Sequence, residues 1–457
     1  MSIRNEVAKA EFGDVRLTKR LGVLVSSLAS RAKRSLPKAL GSEAKLEAAY
    51  RFLNNERVTP ERILAPHLAE TKTRIAAAQT VVVSHDTTQF RFEGDGREGL
   101  GRVHANGQGF YAHVALAMSA DGQRLPLGVI GAQTFTRSDE KKPKPHPKAR
   151  QKQPDRESRR WWSLVEEVES RLDGCAKAIH VMDREADMYE LLSEMSSAKY
   201  RFVIRSTFDR LLDDKDEKLF STLAACNSVA EREVPLTPRK KSPFPKQRRI
   251  HPARTGRLAT LRFSATKVTL RRPDNAPLSL PATLELNAIQ VLEVDAPDGQ
   301  TPVCWRLLTS ESIAGEDEIL RAVDYYRGRW LIEEYWKALK TGCSIEKRQL
   351  ESLDALLNLL ALCMPIAWQL LLLRNLARSA PQTRIQGVLS PTRLQVLRAV
   401  SNGRLKDNPT VGEILEEIAA LGGHIKNNGH PGWIVIGRGY EDLLLLEQGF
   451  LLASGKM

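Results

Sequence analysis

The sequence predicts an α/β protein whose core is a mixed sheet flanked by helices, with a mainly β insertion and helical segments at both ends. Three observations carry that expectation. Apolar residues recur at helical spacing over residues 1–75 and again beyond residue 310. Between residues 81 and 205, three adjacent strand-like runs give way to alternating helix and strand, the pattern of a mixed sheet covered by helices. Within residues 206–310, strand-like runs at Leu258–Leu270, Ala282–Val294 and Val303–Thr309 mark an inserted, mainly β region. The resulting domains are 1–75 (helical), 76–380 (α/β, with the insertion at about 206–310) and 381–457 (helical).

Leu17, Leu21, Leu24 and Leu28 set the first helix, with Arg16, Lys19, Arg20, Arg31, Lys33 and Arg34 around them. Pro37–Gly41 reads as a break. Ser42 caps a second helix through Tyr50 and Leu53, and Thr59-Pro60-Glu61 opens a third. A hydroxyl there accepts from otherwise unpaired N–H groups, and proline in the first turn has no N–H to lose. Val81-Val82-Val83 opens a strand running to about Phe92; Phe110–Met118 and Arg124–Phe135 follow, joined by the turn Asp121-Gly122. After the Lys- and Pro-rich loop Ser138–Arg160, a helix through Trp161, Trp162, Leu164, Val165 and Val168 ends at Asp173-Gly174. The strand Ala178–Met182, a helix Glu185–Met195 and the strand Tyr200–Arg205 complete the core. Ser310 to about Asn375 is helical, and Ile414–Ala420, Leu421-Gly422-Gly423 and Leu443–Leu446 mark a small helical tail.

The 457 residues are 42% hydrophobic and 27% charged, a globular composition that excludes wholesale disorder. With 69 Lys+Arg against 55 Asp+Glu, the formal net charge is +14. It is sorted along the chain: residues 235–273 carry twelve bases and no acid, residues 1–40 net +6 and residues 138–162 net +5, which leaves the remainder at −9. Charge gathered in patches predicts a polyanion partner, nucleic acid first. Five cysteines without a CxxC argue against a disulfide framework or a cysteine zinc site and fit a reducing cytoplasm. The N-terminus has no signal-peptide core. Ala355–Leu373 is uncharged but interrupted by Asn358, Pro365 and Gln369; it reads as a buried helix, and no membrane partner is expected.

Asp86 and Asp183 each stand just past an apolar strand run, Val81–Ser84 and Ile179–Met182. A carboxylate there is awkward in a core but well placed at the lip of a sheet, where ligands collect. Each alone reads as a strand-end turn residue; the pair, on strands of one inferred sheet, brings the two readings level. His85 alternates to the opposite face and reads as packing. In Tyr326–Lys340, the residues Tyr326, Arg329, Glu333 and Lys340 are spaced by three, four and seven. At about 100° per residue, all four fall on one helical stripe and Glu334 falls outside it. The plain alternative, a surface Arg329–Glu333 ion pair, leaves the flanking tyrosine and lysine unaccounted for. Asp86, Asp183 and Glu333 together suit Mg²⁺, which takes oxygen ligands and keeps waters and substrate phosphates. Two such ions about 4 Å apart serve an in-line displacement at phosphorus. No Walker loop, GxGxxG, HExxH or GxSxG motif competes.

This set resembles the bacterial insertion-sequence transposases of the DDE type, and within them the YREK group that includes transposon five. The residues that carry the resemblance are Asp86 in Val-Ser-His-Asp-Thr-Thr, Asp183 in Met-Asp-Arg-Glu-Ala-Asp, and the Tyr326/Arg329/Glu333/Lys340 spacing within Glu-Glu-Tyr-Trp-Lys-Ala-Leu-Lys-Thr-Gly. The likeness extends to Gly13-Asp14-Val15-Arg16 and Glu47–Phe52, and loosens after about residue 380.

The resemblance implies a ribonuclease-H-like catalytic core, an end-binding domain over 1–75 and a dimerising domain over 381–457. It implies cut-and-paste transposition with Mg²⁺, or Mn²⁺ in its place. Water nicks the element end, the freed 3′-hydroxyl forms a hairpin with the other strand, a second water opens it, and the 3′ end joins target DNA. Asp86, Asp183 and Glu333 are then the catalytic metal ligands, while Tyr326, Arg329 and Lys340 hold phosphates and a flipped base. Trp305 takes the base-stacking position, although by itself it reads as a strand aromatic. Arg205 contacts DNA in the core, and Arg20 and Arg51 match basic positions of the end-recognition module. The implied partners are double-stranded DNA, as inverted-repeat ends and as target, and a second copy of the chain in a synaptic complex. Two other readings stay open. One is a related metal-dependent DNA nuclease that cuts without joining; the other is a non-catalytic DNA-binding regulator, which has no need of three intact carboxylates.

Overall fold

The computed structural model describes residues 3–30, 34–103, 107–137, 157–213, 217–239, 241–243, 245, 248, 252–379, 381, 382, 384, 389–425 and 431–455; most of the Lys- and Pro-rich loop lies outside them. Five helices come first: α1 (Ile3–Val7), α2 (Val15–Ser30), α3 (Leu36–Leu40), α4 (Glu43–Leu53) and α5 (Pro60–Ala76). The caps are those the sequence dictates: Ser42 Oγ accepts from the Lys45 N–H and Thr59 Oγ1 from the Arg62 N–H. The expected break at Pro37–Gly41 is instead the short α3. Pro37 falls in its first turn, where no N–H is needed, and Gly41 closes it at φ 72°.

Strands β1 (Thr80–Phe92), β2 (Gly101–Val103), β3 (Gly107–Ser119) and β4 (Pro126–Phe135) follow. Helix α6 (Arg160–Leu172) ends at Asp173-Gly174, both at positive φ, and leads to β5 (Lys177–Met182). The helix expected from Glu185 begins only at Tyr189, as α7 (Tyr189–Ser197), after a 3₁₀ turn Arg184–Ala186. The cause is local: Asp183 caps that turn, and Asp187 is drawn out of helical geometry (ψ 69°) by partners further along the chain. Then come β6 (Arg201–Arg205), α8 (Leu219–Ala225), β7 (Ala230–Leu236), β8 (Arg257–Arg271), β9 (Thr283–Glu293) and β10 (Cys304–Thr309). The remainder is helical: α9 (Glu316–Gly328), α10 (Trp330–Lys337), a π turn Ala338–Gly342, α11 (Leu353–Ser379), α12 (Pro391–Val400), α13 (Val411–Leu421) and α14 (Trp433–Ala453).

The chain packs as two compact units. The first comprises Met1–Lys142, Glu167–Lys177 and Trp330–Met457. In it β3 pairs antiparallel with β1 along one edge and with β2 and β4 along the other. One apolar core runs from Phe12, Leu21 and Phe52 through Phe90 and Trp336 to Leu359, Ile418 and Leu443. Buried Asn358 of α11 donates to the carbonyls of Leu53 and Val58, which pins the turn between α4 and α5 to that helix. Helix α11 is long and apolar enough to cross a membrane, yet 83% of its most apolar window is buried inside the protein. The Gly-Gly turn has a steric reason. A Cβ on Gly422 would meet the Val435 carbonyl at 1.9 Å and one on Gly439 the Ile418 carbonyl at 1.5 Å, so only glycine lets α13 and α14 approach.

The second unit comprises Pro143–Glu166 and Ala178–Arg329. Its strands run in the order β5-β6-β10-β9-β8-β7. β5 and β6 are parallel (Val181 opposite Val203), and the other pairs are antiparallel. The inserted region is not a separate lobe, because β10 pairs directly with β6 and so extends the same sheet. Trp161, Leu192, Phe202, Leu270 and Leu308 form its core. The whole is a mixed α/β fold with a large mixed sheet and helices at both ends of the chain, consistent with a ribonuclease-H-like core carrying helical domains.

Candidate active site and DNA-binding surfaces

Asp86 sits in β1 opposite Val114 and is half-buried. Its neighbour His85 is fully buried, 6.2 Å ring to ring from His113, which is the packing role alternation predicts. Asp86 Oδ2 accepts a hydrogen bond from Trp336 Nε1 at 2.8 Å. Trp336 follows Glu333 by three residues on α10, so the two side chains rise from neighbouring positions of the helix. Lys340 Nζ donates to the Gln89 carbonyl at 2.6 Å, lies 5.3 Å from the Phe90 ring centroid and stands 3.9 Å from Glu346. Burial pulls the Lys340 pKa below the usual 10.5, and the charges of Glu346, Asp86 and Glu333 oppose that drop. The first unit thus gathers Asp86, Glu333 and Lys340. Glu334 is engaged elsewhere, with Lys337 and Arg374, as its angular position requires.

The four signature residues do not share one unbroken helical stripe. Helix α9 ends at Gly328, the Arg329 N–H donates to the Tyr326 carbonyl at 3.0 Å, and α10 restarts at Trp330. Lys340 falls in the π turn, where the Cys343 N–H reaches back five residues to the Ala338 carbonyl. A π turn winds less per residue than an α-helix, so Lys340 departs from the place that regular spacing assigns; such turns often sit at functional positions. Tyr326 and Arg329 belong to the second unit, Glu333 and Lys340 to the first.

In the second unit, Asp183 follows directly on β5, and its Oδ1 accepts from the Glu185 N–H at 2.8 Å. Arg205 ends β6 and donates to the Cys304 carbonyl at 3.2 Å, next to Trp305 on β10. The Trp305 ring meets Tyr326 edge-on, with centroids 5.8 Å apart and planes at 64°. Tyr326 is buried at 6% exposure, whereas Trp305 and Arg329 are half-buried.

In the N-terminal helices, Arg16, Lys19 and Arg51 are exposed and Arg20 is half-buried. Arg16 is clamped by Asp14, whose carboxyl its hydrogen bonds hold down to about 2, and Arg51 pairs with Glu47 one turn earlier. Arg20 and Arg51 therefore stand on helices of one packed module, at positions α2 and α4 supply.

Two residues beside the carboxylates escaped sequence reading. Trp336 carries its signal in its spacing of three from Glu333. Glu346 Oε1 accepts from the Arg91 N–H at 3.0 Å and faces Lys340, a long-range contact with no local signature. Asp86, Asp183 and Glu333 offer only carboxylate oxygens, the donor chemistry that Mg²⁺ and Mn²⁺ take. Among the described residues, no three metal-ligating side chains stand together as a ready-made ligand group.

Residues 2–58 match the family described as Transposase DNA-binding. The matched span covers α1 to α4 and the lead into α5, the helices that display Arg16, Lys19, Arg20 and Arg51. The chain therefore carries a DNA-binding domain of the kind found in transposases. DNA is its partner, and the match supports a transposase, hence an enzyme.

Proposed function

We propose that the protein is a DDE-type DNA transposase of the YREK group that performs cut-and-paste transposition of its own insertion sequence. The observation that carries this reading is the gathering of Asp86, Glu333 and Lys340 in a chain that begins with a transposase DNA-binding domain. Asp86, Asp183 and Glu333 are the residues that would hold Mg²⁺, or Mn²⁺ in its place. A divalent ion so bound polarises a phosphodiester and favours attack by water or a 3′-hydroxyl. The chain's own groups do the positioning. Trp336 orients Asp86, and Lys340, anchored on the Gln89 carbonyl, presents a cation to a phosphate beside Asp86 and Glu333. Trp305, backed edge-on by Tyr326, offers an aromatic surface to an unstacked base, with Arg205 and Arg329 for the flanking phosphates. Arg20 and Arg51 hold the inverted-repeat end. Leu445, Leu446 and Leu452 of α14 are exposed apolar residues, suited to pairing two copies in a synaptic homodimer in the bacterial cytoplasm.

The test is strand transfer. A duplex with a pre-exposed 3′-hydroxyl element end is incubated with supercoiled plasmid and Mg²⁺, and joined products are counted. Joining supports the transposase reading. Cutting without joining replaces it with a nuclease, and end binding without either reaction leaves a DNA-binding regulator.

A further inference from the structure

We infer that the second unit holds a pocket for one unpaired nucleotide, its base stacked on Phe208 and its phosphate held by Arg271 and Arg272. This rests on the reading of the protein as an enzyme of DNA, but on none of the residues assigned above. The cavity measures about 530 Å³ and is bounded by Tyr189, Phe208, Arg210, Arg271, Arg272 and Leu280.

Phe208 is 56% exposed, an unusual place for a phenyl ring, and its loop is built to keep it there. Asp187, wholly buried, accepts from the N–H groups of Thr207 (2.7 Å) and Phe208 (3.0 Å) and from the Ser206 hydroxyl (3.2 Å). Arg210 stands 5.3 Å from the Phe208 ring centroid and donates through Nη2 to Asp187 Oδ1 at 2.6 Å and to the Asp187 carbonyl at 2.9 Å. A cation on one side of the ring leaves the other for a base. The Arg210 side chain is only 7% exposed, yet its Nε has no hydrogen-bond partner.

Arg271 and Arg272 close the acid-free stretch 235–273. The Arg271 N–H donates to the Leu211 carbonyl at 3.0 Å, which ties the Phe208 loop to the end of β8. Arg272 Nη1 bonds the carbonyls of Leu280 (2.5 Å) and Leu278 (3.1 Å), so its guanidinium is fixed at the rim. Aromatic stacking with neighbouring cations is the chemistry that recognises single-stranded nucleic acid. Neither Trp305 nor Tyr326 bounds this cavity.

The probe is an eight-nucleotide oligo(dT) carrying 5-iodouracil, mixed with the full chain in EDTA. Ultraviolet crosslinking should map to Phe208, and Phe208→Ala should weaken oligonucleotide binding about tenfold while Phe208→Trp restores it. Arg271→Gln with Arg272→Gln, which together release the one phosphate, should lower the salt dependence by about 0.7 log unit per log unit of salt. Binding of duplex ends through the N-terminal domain, unchanged in each variant, reports a folded chain; if Phe208→Ala does not fold, Phe208→Leu carries the same comparison. Crosslinks elsewhere together with undiminished binding by the Phe208 variant overturn the pocket. Strand transfer by a chain that shows no Phe208 crosslink counts against the pocket alone, and a crosslinked chain that never joins DNA counts against the transposase reading alone.

Discussion

The indole of Trp336 donates to Asp86 Oδ2 at 2.8 Å, so the helix that carries Glu333 also aims the carboxylate of β1. Removing that donor while keeping an aromatic ring in the core should leave the strand in place and free the carboxylate to rotate. Trp336→Phe is expected to slow end cleavage by about 10–100-fold, the usual scale for an outer residue that orients a ligating carboxylate. Gel-shift affinity for the element end should not move. Cleavage at the wild-type rate would show that Asp86 needs no such orientation.

Replacing the carboxylates themselves is the direct test of their assignment. Asp86→Asn, Asp183→Asn and Glu333→Gln each keep the side chain's shape and remove a charge. Each should abolish nicking in Mg²⁺ while end binding in Ca²⁺ persists. Full activity in any one of the three removes that residue from the set.

How far these residues could be read from sequence follows their range of contact. Caps at Ser42 and Thr59, the strand end before Asp183 and the burial of His85 are local consequences of residue type, and the structure places them accordingly. Asp86, expected just past an apolar strand run at the lip of the sheet, lies instead in the middle of β1, because that strand stays paired to β3 as far as Phe92. The π turn at Ala338–Gly342 was not legible, because it depends on whether one N–H bonds four or five residues back. The late start of α7 was hidden for a different reason: Asp187 is claimed by Thr207, Phe208 and Arg210, some twenty residues away. That β10 joins β6 rather than a separate sheet is likewise a pairing choice no single strand announces.

Electrostatics of the N-terminal module give a quantitative expectation. Arg16, Lys19 and Arg51 are exposed on the helices matched to transposase DNA-binding domains, and Arg20 is half-buried beside them. Each phosphate contact contributes about 0.9 log unit of affinity per log unit of salt. Substituting Lys19 and Arg20 by Gln should reduce the measured slope by about 1.8 if both reach phosphates. An unchanged slope would place the DNA on another face of the module.

The exposed leucines of α14 make a prediction about assembly. Leu445, Leu446 and Leu452 are 37%, 41% and 64% exposed on a helix whose other side packs into the first unit's core. Leu445→Glu with Leu452→Glu should keep the chain monomeric in sedimentation velocity and abolish paired-end complexes, while single-end binding survives. A dimer that tolerates both charges lies elsewhere.

The last expectation concerns pH and the seating of the DNA-binding module. His67 Nε2 accepts from the Val129 N–H at 3.1 Å, so its proton is on Nδ1, which donates to Glu6 at 2.6 Å. One neutral imidazole thereby joins α1, α5 and β4. Burial lowers the His67 pKa below 6.5, the Glu6 contacts oppose that shift, and Arg74 adds to it. The sign follows from proton counting. Below pH about 6.5 the unfolded chain takes up a proton that the folded chain resists, so the stability His67 contributes is full above that pH and drains away beneath it. His67→Gln, which cannot titrate, should cost about 1–3 kcal/mol at pH 7.5 through lost buried hydrogen bonds. Thermal melts of the two proteins should then converge as the pH falls from 7 toward 5. A gap that stays constant over that range would mean His67 does not titrate with folding.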